Sequence, residues 1–374
     1  MKLEGVKVLD LSLFLPGPML TLMMADHGAE VIKVEPMGEG EPTRHVGYRK
    51  NGESVWFRNT HRGKASIQLN LKEAADHAVF MRLAAEADVV VEAFRPGVVK
   101  RLGVDYDAVR AVNPGVVYCS ISAFGQDGPY RDRPAHDVAV QAFAGVVSLN
   151  EGQDGLPAMP AMPVADALGS LTALSGVLMA LLRKRVTGVG DYLDVAMFDS
   201  VLAWTPNVTG RLFTTAEAHV VKDERSWGGN AMYGLYRTAD DRWLALGGAE
   251  VKFAKALLVP LGREDLVALA ELPPGPGQEP LRAFLREAFT GRTLADWVAW
   301  FADKDVCWAP VRTLKDAFDD PALAARGMLH RDADGNEVVG TPIRFREEPA
   351  VIDPTLPVLD ADGAAIRARL NPPR

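Results

Sequence analysis

Short apolar runs alternate with helix-like segments along the first two hundred residues of this chain. Five of the runs have the length and the Val/Ile content of buried strands: residues 6–11, 30–34, 65–71, 88–92 and 116–122. Helical patterns lie between them, at residues 19–27, 72–87 and 98–102. Because strand–helix–strand units build parallel sheets that are covered by helices, the pattern predicts an α/β fold with a doubly wound sheet.

The second half of the chain has a different pattern. Residues 205–227 are irregular, and residues 236–247 predict a β-hairpin with its turn at Asp240 and Asp241. Amphipathic helices and a short strand at 307–311 follow. We therefore predict a large domain from residues 1–204 and 327–374, and a small α+β domain with its linkers from residues 205–326.

Composition narrows the function classes. Of the 374 residues, 48% are hydrophobic and 24% are charged, and the net charge of −8 argues against general nucleic-acid binding. We see no signal peptide and no apolar run long enough to span a bilayer, so we expect no membrane partner. Two distant cysteines fit neither a disulfide framework nor a metal site, which favours a cytoplasmic location.

Three acids and a histidine are candidate catalytic groups. His136 and Asp137 precede a Gly/Pro-rich loop, and Asp166 stands just before a long helix predicted at residues 168–184. Glu250 follows a Gly-Gly-Ala turn. Each acid has the alternative role of a helix N-cap, and His136 that of a buried core histidine. With no G-x-S-x-G and no zinc motif, acid/base or carboxylate-nucleophile chemistry without a metal remains.

Basic residues lie near the predicted strand ends. As a group they favour a phosphate-bearing ligand, either a nucleotide or coenzyme A, because guanidinium groups match phosphate oxygens. Taken singly, each is as readily a solvated surface residue. They are Arg44, Arg62, Lys64, Arg95 and Arg101.

Seven ordered blocks resemble the class III CoA-transferase superfamily (CaiB/BaiF type), which includes formyl-CoA transferases, carnitine-CoA transferases and α-methylacyl-CoA racemases. The blocks are VKVLDLSLFLPGP, GAEVIKVEPMGEGEPTR, RGKASIQLNLK, ADVVVEAFRPGVVKRLG, NPGVVYCSISAFGQDGP, PVADALGS and YGLYRTADDRWLALGG. The resemblance implies an acyl-CoA thioester substrate, a large Rossmann-like domain with a smaller domain, and an interlocked homodimer. It implies no permanently bound cofactor, since coenzyme A enters as part of the substrate.

The resemblance leaves two branches. In the transferases, the aspartate matching Asp166 is a nucleophile that carries the acyl group and then CoA. In the racemases it is a base, its partner matches His136, and a supporting glutamate matches Glu250. Because all three groups are present, we expect epimerisation at the α-carbon of a 2-methylacyl-CoA, with Asp137 tuning the pair and the start of the Asp166 helix stabilising the enolate. The alternative is a CoA-transferase, which the pair Gln141–Ala142 favours.

The resemblance also carries a CoA site onto this chain. Its positions here are Leu15, Pro16, Leu69, Lys72, Ala93, Phe94, Arg95 and Arg101. Charge alone adds Arg44 and Lys64, and Pro36 stands where relatives often have an arginine. The methionines Met159, Met162 and Met232 are candidates to line an apolar acyl pocket, with core packing as the alternative for each.

Overall fold

A computed structural model describes residues 1–152 and 154–370, which form two compact units. The first unit comprises Met1–Gly145, Pro160–Thr205 and Pro321–Arg374. The second comprises Val146–Met159 and Pro206–Asp320.

The strands and helices follow one another as mixed α/β structure. The strands are β1 (Lys7–Asp10), β2 (Glu30–Glu35), β3 (Arg49–Lys50), β4 (Glu53–Ser54), β5 (Ala65–Gln68), β6 (Val89–Glu92), β7 (Val117–Ser122), β8 (Asp191–Ala196), β9 (Tyr233–Arg237), β10 (Trp243–Gly247), β11 (Trp308–Pro310), β12 (Leu329–Arg331) and β13 (Glu337–Val339). The α-helices are α1 (Pro16–Asp26), α2 (Val55–His61), α3 (Ala74–Glu86), α4 (Val98–Arg101), α5 (Tyr106–Val112), α6 (Asp137–Phe143), α7 (Val164–Thr187), α8 (Met197–Ala203), α9 (Gly210–Thr215), α10 (Val251–Leu258), α11 (Glu279–Thr290), α12 (Leu294–Phe301), α13 (Leu314–Phe318), α14 (Pro321–Ala325) and α15 (Gly363–Leu370).

The first unit is built on a six-stranded sheet in the order β5-β2-β1-β6-β7-β8. Every neighbouring pair is parallel, and Val8 of β1 lies between Val31 of β2 and Val89 of β6. Strands β6 and β7 are buried along their whole length, as expected where helices cover both faces of a parallel sheet. The predicted α/β fold class is confirmed.

Alternate residues of the strands form the core under one face of the sheet. Phe80 and Leu83 of α3, Val109 of α5 and Ile366 of α15 pack with Tyr118 of β7 on this face. Side chains such as those of Val8 and Val89 point the other way, because successive residues of a strand alternate in direction. Helices α1 and α7 pack against each other. Helix α1 also contacts β1, β2 and β6, and α7 contacts β7 and β8, so the two helices cover the opposite face.

Helix α7 is 24 residues long and starts four residues earlier than the sequence predicted. Its small residues allow close packing: a Cβ at Gly169 would lie 2.9 Å from Met197 Cγ, and one at Gly176 would lie 2.4 Å from Leu193 Cδ2. By length and composition α7 is apolar enough to cross a membrane, which the sequence prediction overlooked. One such helix is weak support for a membrane protein, since core helices pass the same criterion, and Ala165 and Ala173 are fully buried in the fold.

The second unit contains the predicted hairpin. Strands β9 and β10 pair antiparallel, β11 adds to the free side of β10, and Asp241 in the turn has a left-handed backbone with φ +58°. Helices α10 to α12 supply a separate core around Leu257, Phe289 and Trp297. The indole N–H of Trp297 is satisfied by the carbonyl oxygen of Phe289 at 2.9 Å.

Candidate active site

The predicted site residues of the first unit collect at one edge of its sheet. The loops after β1, β5, β6 and β7 all leave the carboxyl ends of parallel strands. Helix α7 returns the chain to the start of β8, so its N-terminus lies at the same edge. The connections diverge between β1 and β6, and that is where open α/β sheets bind ligands.

Asp137 holds the N-terminus of α7. Its Oδ1 accepts hydrogen bonds from the backbone N–H of Ala165 at 2.7 Å and of Asp166 at 3.1 Å. The N-cap residue Pro163 makes no side-chain cap bond, so Asp137 caps this helix from a distance of 28 residues in sequence. The N-cap alternative for Asp166 is therefore wrong, because Asp166 lies inside the first turn.

The N–H groups of Ala165 and Asp166 are not available to a substrate oxygen, because Asp137 already accepts both hydrogen bonds. The sequence interpretation used the start of this helix to stabilise an enolate oxygen. Both N–H groups already donate to Asp137, and the next one, of Ala167, donates to the carbonyl of Pro163 at 3.0 Å. The first turn therefore does not offer these donors to a substrate oxygen.

The carboxylate of Asp166 is half-buried, and among the described residues it has no hydrogen-bond or ion-pair partner of its own. Burial raises the pKa of Asp166 to about 7, and the like charge of Asp137 adds to the effect. An unpartnered carboxylate in a half-apolar setting is a stronger nucleophile and base than a solvated one.

Gln141 completes this cluster. Its Nε2 donates to Asp137 Oδ2 at 2.6 Å and to the carbonyl oxygen of Met162 at 3.2 Å. The side chain is buried one turn after Asp137 on α6. It ties α6 to the segment that enters α7, which gives Gln141 a positioning role that the sequence did not reveal.

His136 precedes α6 as its N-cap residue, but its side chain makes no capping bond and is exposed. It is therefore not the core histidine of the alternative interpretation. The ring of Phe14 packs edge-on to the imidazole, with 6.0 Å between ring centroids. Glu250 is exposed in the second unit, before α10, and it does not cap that helix with its side chain. Its partnership with His136 stays a prediction.

The loop after β1 is held in a tight conformation. Ser12 donates to Asp10 Oδ1 at 2.5 Å, and a Cβ at Gly17 would lie only 2.1 Å from the Cβ of Ser12. Only glycine allows this approach of the loop to the first turn of α1. Leu15 and Pro16, both predicted CoA contacts, stand where this loop enters α1.

A buried network of ions lies under this loop. Asp10 is paired with Lys33 and Lys64, all three with side chains that are fully buried. The Lys64 Nζ donates to Asp10 at 3.0 Å, to the carbonyl of Pro18 at 3.0 Å and to Thr21 Oγ1 at 2.8 Å. Burial lowers the pKa of Lys64 to about 8, although Asp10 opposes the shift. The predicted phosphate contact of Lys64 is corrected, because all three of its donors are used inside the protein.

Two arginines of the predicted basic group are engaged in ion pairs. Arg44 makes a two-bond contact with Glu35, at 2.8 and 2.7 Å, and its guanidinium lies 4.0 Å from the centre of the Phe57 ring. Arg62 is buried and binds Asp26 through both terminal nitrogens. The charge of Arg62 therefore serves the fold, and a phosphate role for Arg44 stays a prediction.

The loop after β6 carries three predicted CoA contacts, Ala93, Phe94 and Arg95. Glu92 anchors it, since this buried carboxylate accepts the N–H of Phe94 at 2.8 Å and the hydroxyl of Ser120. Burial raises the pKa of Glu92 to about 7, although these hydrogen bonds oppose the shift.

Exposed basic groups lie around this edge. Arg95 and Arg101 are exposed, and the guanidinium of Arg101 borders Gly97, as does that of Arg131, which sequence reasoning did not select. After β5, Leu69 is buried and Lys72 is exposed. Arg95, Arg101 and Lys72 are therefore accessible to a ligand. Leu69 is not, because it is buried and its N–H donates to the carbonyl oxygen of Glu35 at 3.1 Å, so its CoA contact stays a prediction.

Comparison with known proteins agrees with this architecture. The sequence profile of CoA-transferase family III matches residues 3–363. The acetyl-CoA:oxalate CoA-transferase of Acetobacter aceti is 32% identical over 99% of this chain and 96% of its own length. The succinyl-CoA–D-citramalate CoA-transferase of Chloroflexus aurantiacus is 30% identical, covering 96% and 91%. A crystal structure of a CAIB/BAIF family protein from Brucella suis has a TM-score of 0.85 at 31% identity, with 99% of both chains covered.

The parallel sheet carries its candidate carboxylate at the carboxyl edge, and the family match covers nearly the whole chain. Together these findings define an enzyme of a CoA-transferase family. The chain belongs to CoA-transferase family III.

Proposed function

We propose that this protein transfers CoA from an acyl-CoA to a free carboxylic acid, with Asp166 as the nucleophile. The observation that carries this proposal is the free, half-buried carboxylate of Asp166 on a backbone that Asp137 fixes. The two transferases named above support the same reaction type. This was the alternative of the sequence analysis, and it replaces epimerisation as the preferred function.

The reaction is a sequence of acyl exchanges at Asp166. Its carboxylate attacks the thioester carbonyl, the C–S bond breaks, and an acyl-aspartyl anhydride and the CoA thiolate result. The thiolate attacks the aspartyl carbonyl, releases the first acid and leaves an aspartyl-CoA thioester. The acceptor carboxylate attacks that thioester to form a second anhydride, and the returning thiolate takes its acyl group. Asp166 is regenerated, and no redox partner is needed.

Two features of the site suit this chemistry. A pKa near 7 keeps much of Asp166 ionised at neutral pH, and partial burial leaves that carboxylate weakly hydrated and therefore nucleophilic. Asp137 fixes the start of α7, so the nucleophile reaches the thioester in a set orientation.

Isotope exchange tests the reaction type without knowledge of the natural acceptor. Each acyl-CoA of a panel of short thioesters is incubated with its own radiolabelled free acid, and label in the thioester is measured. We expect label to enter at least one thioester with the wild-type enzyme and none with Asp166→Ala.

The racemase prediction is decided by the same panel in D2O. Deuterium at C2 of a 2-methylacyl-CoA, with no acid exchange for any thioester, contradicts the transferase and supports epimerisation with His136 as the partner of Asp166. Acid exchange without deuterium at C2 supports the transferase.

We further propose that the enzyme is a homodimer, as the resemblance implies. The support is an apolar face of α7 that the single chain leaves exposed: Met179, Leu182 and Val186 are 66%, 69% and 78% exposed. Faces of this kind mark interaction surfaces. Sedimentation equilibrium should give twice the 40.4 kDa chain mass, and a single-chain mass contradicts the proposal.

A further inference from the structure

Phe14 has an unusual backbone for an aromatic residue. Its φ is +63°, and among the five non-glycine residues with positive φ in the described chain it is the one aromatic. This left-handed conformation is costly for any side chain with a Cβ, and glycine would adopt it without strain. Residues held this way concentrate at functional sites, which makes Phe14 a candidate for a function.

The fold forces this conformation from three sides. Ser12 is fixed by Asp10, and the first turn of α1 presses against it at Gly17. The N–H of Phe14 donates at 3.0 Å to Oε1 of Glu41, a fully buried carboxylate. The loop therefore dictates the backbone at residue 14 whatever the side chain is.

The Phe14 side chain itself is not used to build the core. It is 36% exposed, and one edge of the ring meets the imidazole of His136. His136 is joined through Asp137 to the helix turn that carries Asp166. An exposed aromatic ring is thus presented at the edge that holds the candidate nucleophile.

The loop that carries Phe14, residues 11–15, contains no lysine or arginine. Lys33 and Lys64 are buried under the loop and bonded to Asp10 and to backbone carbonyls, so neither reaches a substrate carboxylate. The imidazole of His136 meets the ring edge-on, and the ring itself offers neither a hydrogen bond nor an opposite charge to an ionised substrate group. A ring in this position favours an uncharged substrate group and disfavours an ionic one.

We propose that Phe14 is a specificity-determining residue that forms an apolar wall against the acyl group and selects uncharged acyl chains over those ending in a carboxylate. The proposal rests on the proposed function of Asp166 and names its substrate class. The strained backbone of Phe14 holds the ring in one position. Substrate binding therefore does not have to order a flexible loop.

The test compares butanoyl-CoA with succinyl-CoA, which have four-carbon acyl chains and differ in the terminal carboxylate. Exchange of each thioester with its own labelled acid is measured at pH 8, above the pKa of about 7 of Asp166. The variants are Phe14→Ala, which removes the ring and keeps the strain, Phe14→Gly, which removes both, and Phe14→Leu, which keeps an apolar side chain.

We expect the wild-type enzyme to prefer butanoyl-CoA. Phe14→Ala and Phe14→Gly should lower kcat/KM for butanoyl-CoA roughly tenfold or more while succinyl-CoA changes by less than about twofold, and Phe14→Leu should keep most of the preference. The melting temperature of Phe14→Gly should equal or exceed that of the wild type, which separates loss of selectivity from loss of folding.

Where exchange is observed, three results overturn the proposal: an equal fall for both thioesters, an unchanged ratio in Phe14→Ala, or a wild-type preference for succinyl-CoA. Absence of exchange with both thioesters also overturns it. In that case the wider panel with Asp166→Ala shows whether the transferase proposal fails as well, since exchange with any other thioester leaves that proposal intact.

Discussion

The backbone N–H of Asp166 donates a hydrogen bond to the carboxylate of Asp137 at 3.1 Å. Asp137 thus caps the helix, and Asp166, the third residue of that helix, keeps a free carboxylate. The same proximity places two negative charges near each other, which together with burial raises the pKa of Asp166. Asp137 therefore has two roles: it caps α7, and its charge helps to raise the pKa of Asp166.

This relationship predicts the pH dependence of the reaction. Since the ionised form of Asp166 is the nucleophile, kcat/KM should rise with pH through about 7 and level off above it. Asp137→Asn keeps an oxygen for the two N–H groups but removes the charge, so the rising limb should move to lower pH without returning to the ordinary value of 3.8, because burial is the larger cause. An unchanged limb in this variant contradicts the electrostatic role, and the exposed Asp132→Asn is the control.

We expect the ionised carboxylate of Asp166 to lower the stability of the folded protein, by an amount that depends on pH. A folded pKa of about 7 against 3.8 in the unfolded chain means that the folded state holds the proton more tightly, so stability falls as pH rises between these values. Asp166→Asn should remove this cost and be more stable at pH 8 by roughly 1–2 kcal/mol, after allowance for solvent screening at a partly exposed group.

The difference should vanish below the unfolded pKa of 3.8, and urea unfolding at several pH values measures it. Greater stability of the wild type at pH 8 would show that the carboxylate is not held in an unfavourable setting.

Substitution of Lys64 should affect the stability of the fold, whereas substitution of Arg101 should affect ligand binding. Lys64→Met leaves Asp10 buried with one cation fewer and should destabilise the protein by about 3 kcal/mol. Arg101→Ala removes an exposed guanidinium, so its stability should change by less than about 0.5 kcal/mol while KM for the acyl-CoA rises roughly tenfold. Thermal unfolding and steady-state kinetics on both variants check this, and a raised KM with unchanged stability in Lys64→Met would restore its predicted phosphate contact.

Gly17→Ala should destroy the loop after β1. Its Cβ would lie 2.1 Å from that of Ser12, so either the loop or α1 must move, at a cost of several kcal/mol, on the order of the largest single-residue effects. Gly210→Ala is the matched control, since nothing lies within 4 Å of a Cβ there and its φ is not positive. Soluble yield and melting temperature compare the two, and equal stability would show that the close approach is relaxed in solution.

Sequence patterns predicted five of the six strands of the large sheet, because strands such as β6 and β7 are short continuous apolar runs between turn residues. The start of α7 was missed because its cap comes from Asp137, far away in sequence, and no local pattern records such a partner. Lys64 was assigned to a ligand on charge alone, since burial of a lysine depends on the position of Asp10, 54 residues earlier.

The candidate site could be predicted only in part, because contacts between residues that are distant in sequence leave no local pattern. His136, Asp137 and Asp166 were selected as titratable groups in Gly/Pro-rich sequence, and the fold places all three at one edge. Phe14 was not selected because a left-handed aromatic residue has no sequence signal. Its conformation follows from contacts of Ser12, Gly17 and Glu41 that exist only in the folded protein.

Chemical trapping shows whether the carboxylate of Asp166 becomes covalently bound to the substrate during the reaction. The enzyme is mixed with an acyl-CoA that shows acid exchange, treated with hydroxylamine or borohydride, and digested with a protease. The mass of the peptide that contains Asp166 is then measured by mass spectrometry. We expect a hydroxamate or a reduced side chain at Asp166 that requires the acyl-CoA, with Asp137 unmodified. An unmodified Asp166 in an enzyme that is exchanging acid and thioester would contradict the proposed mechanism.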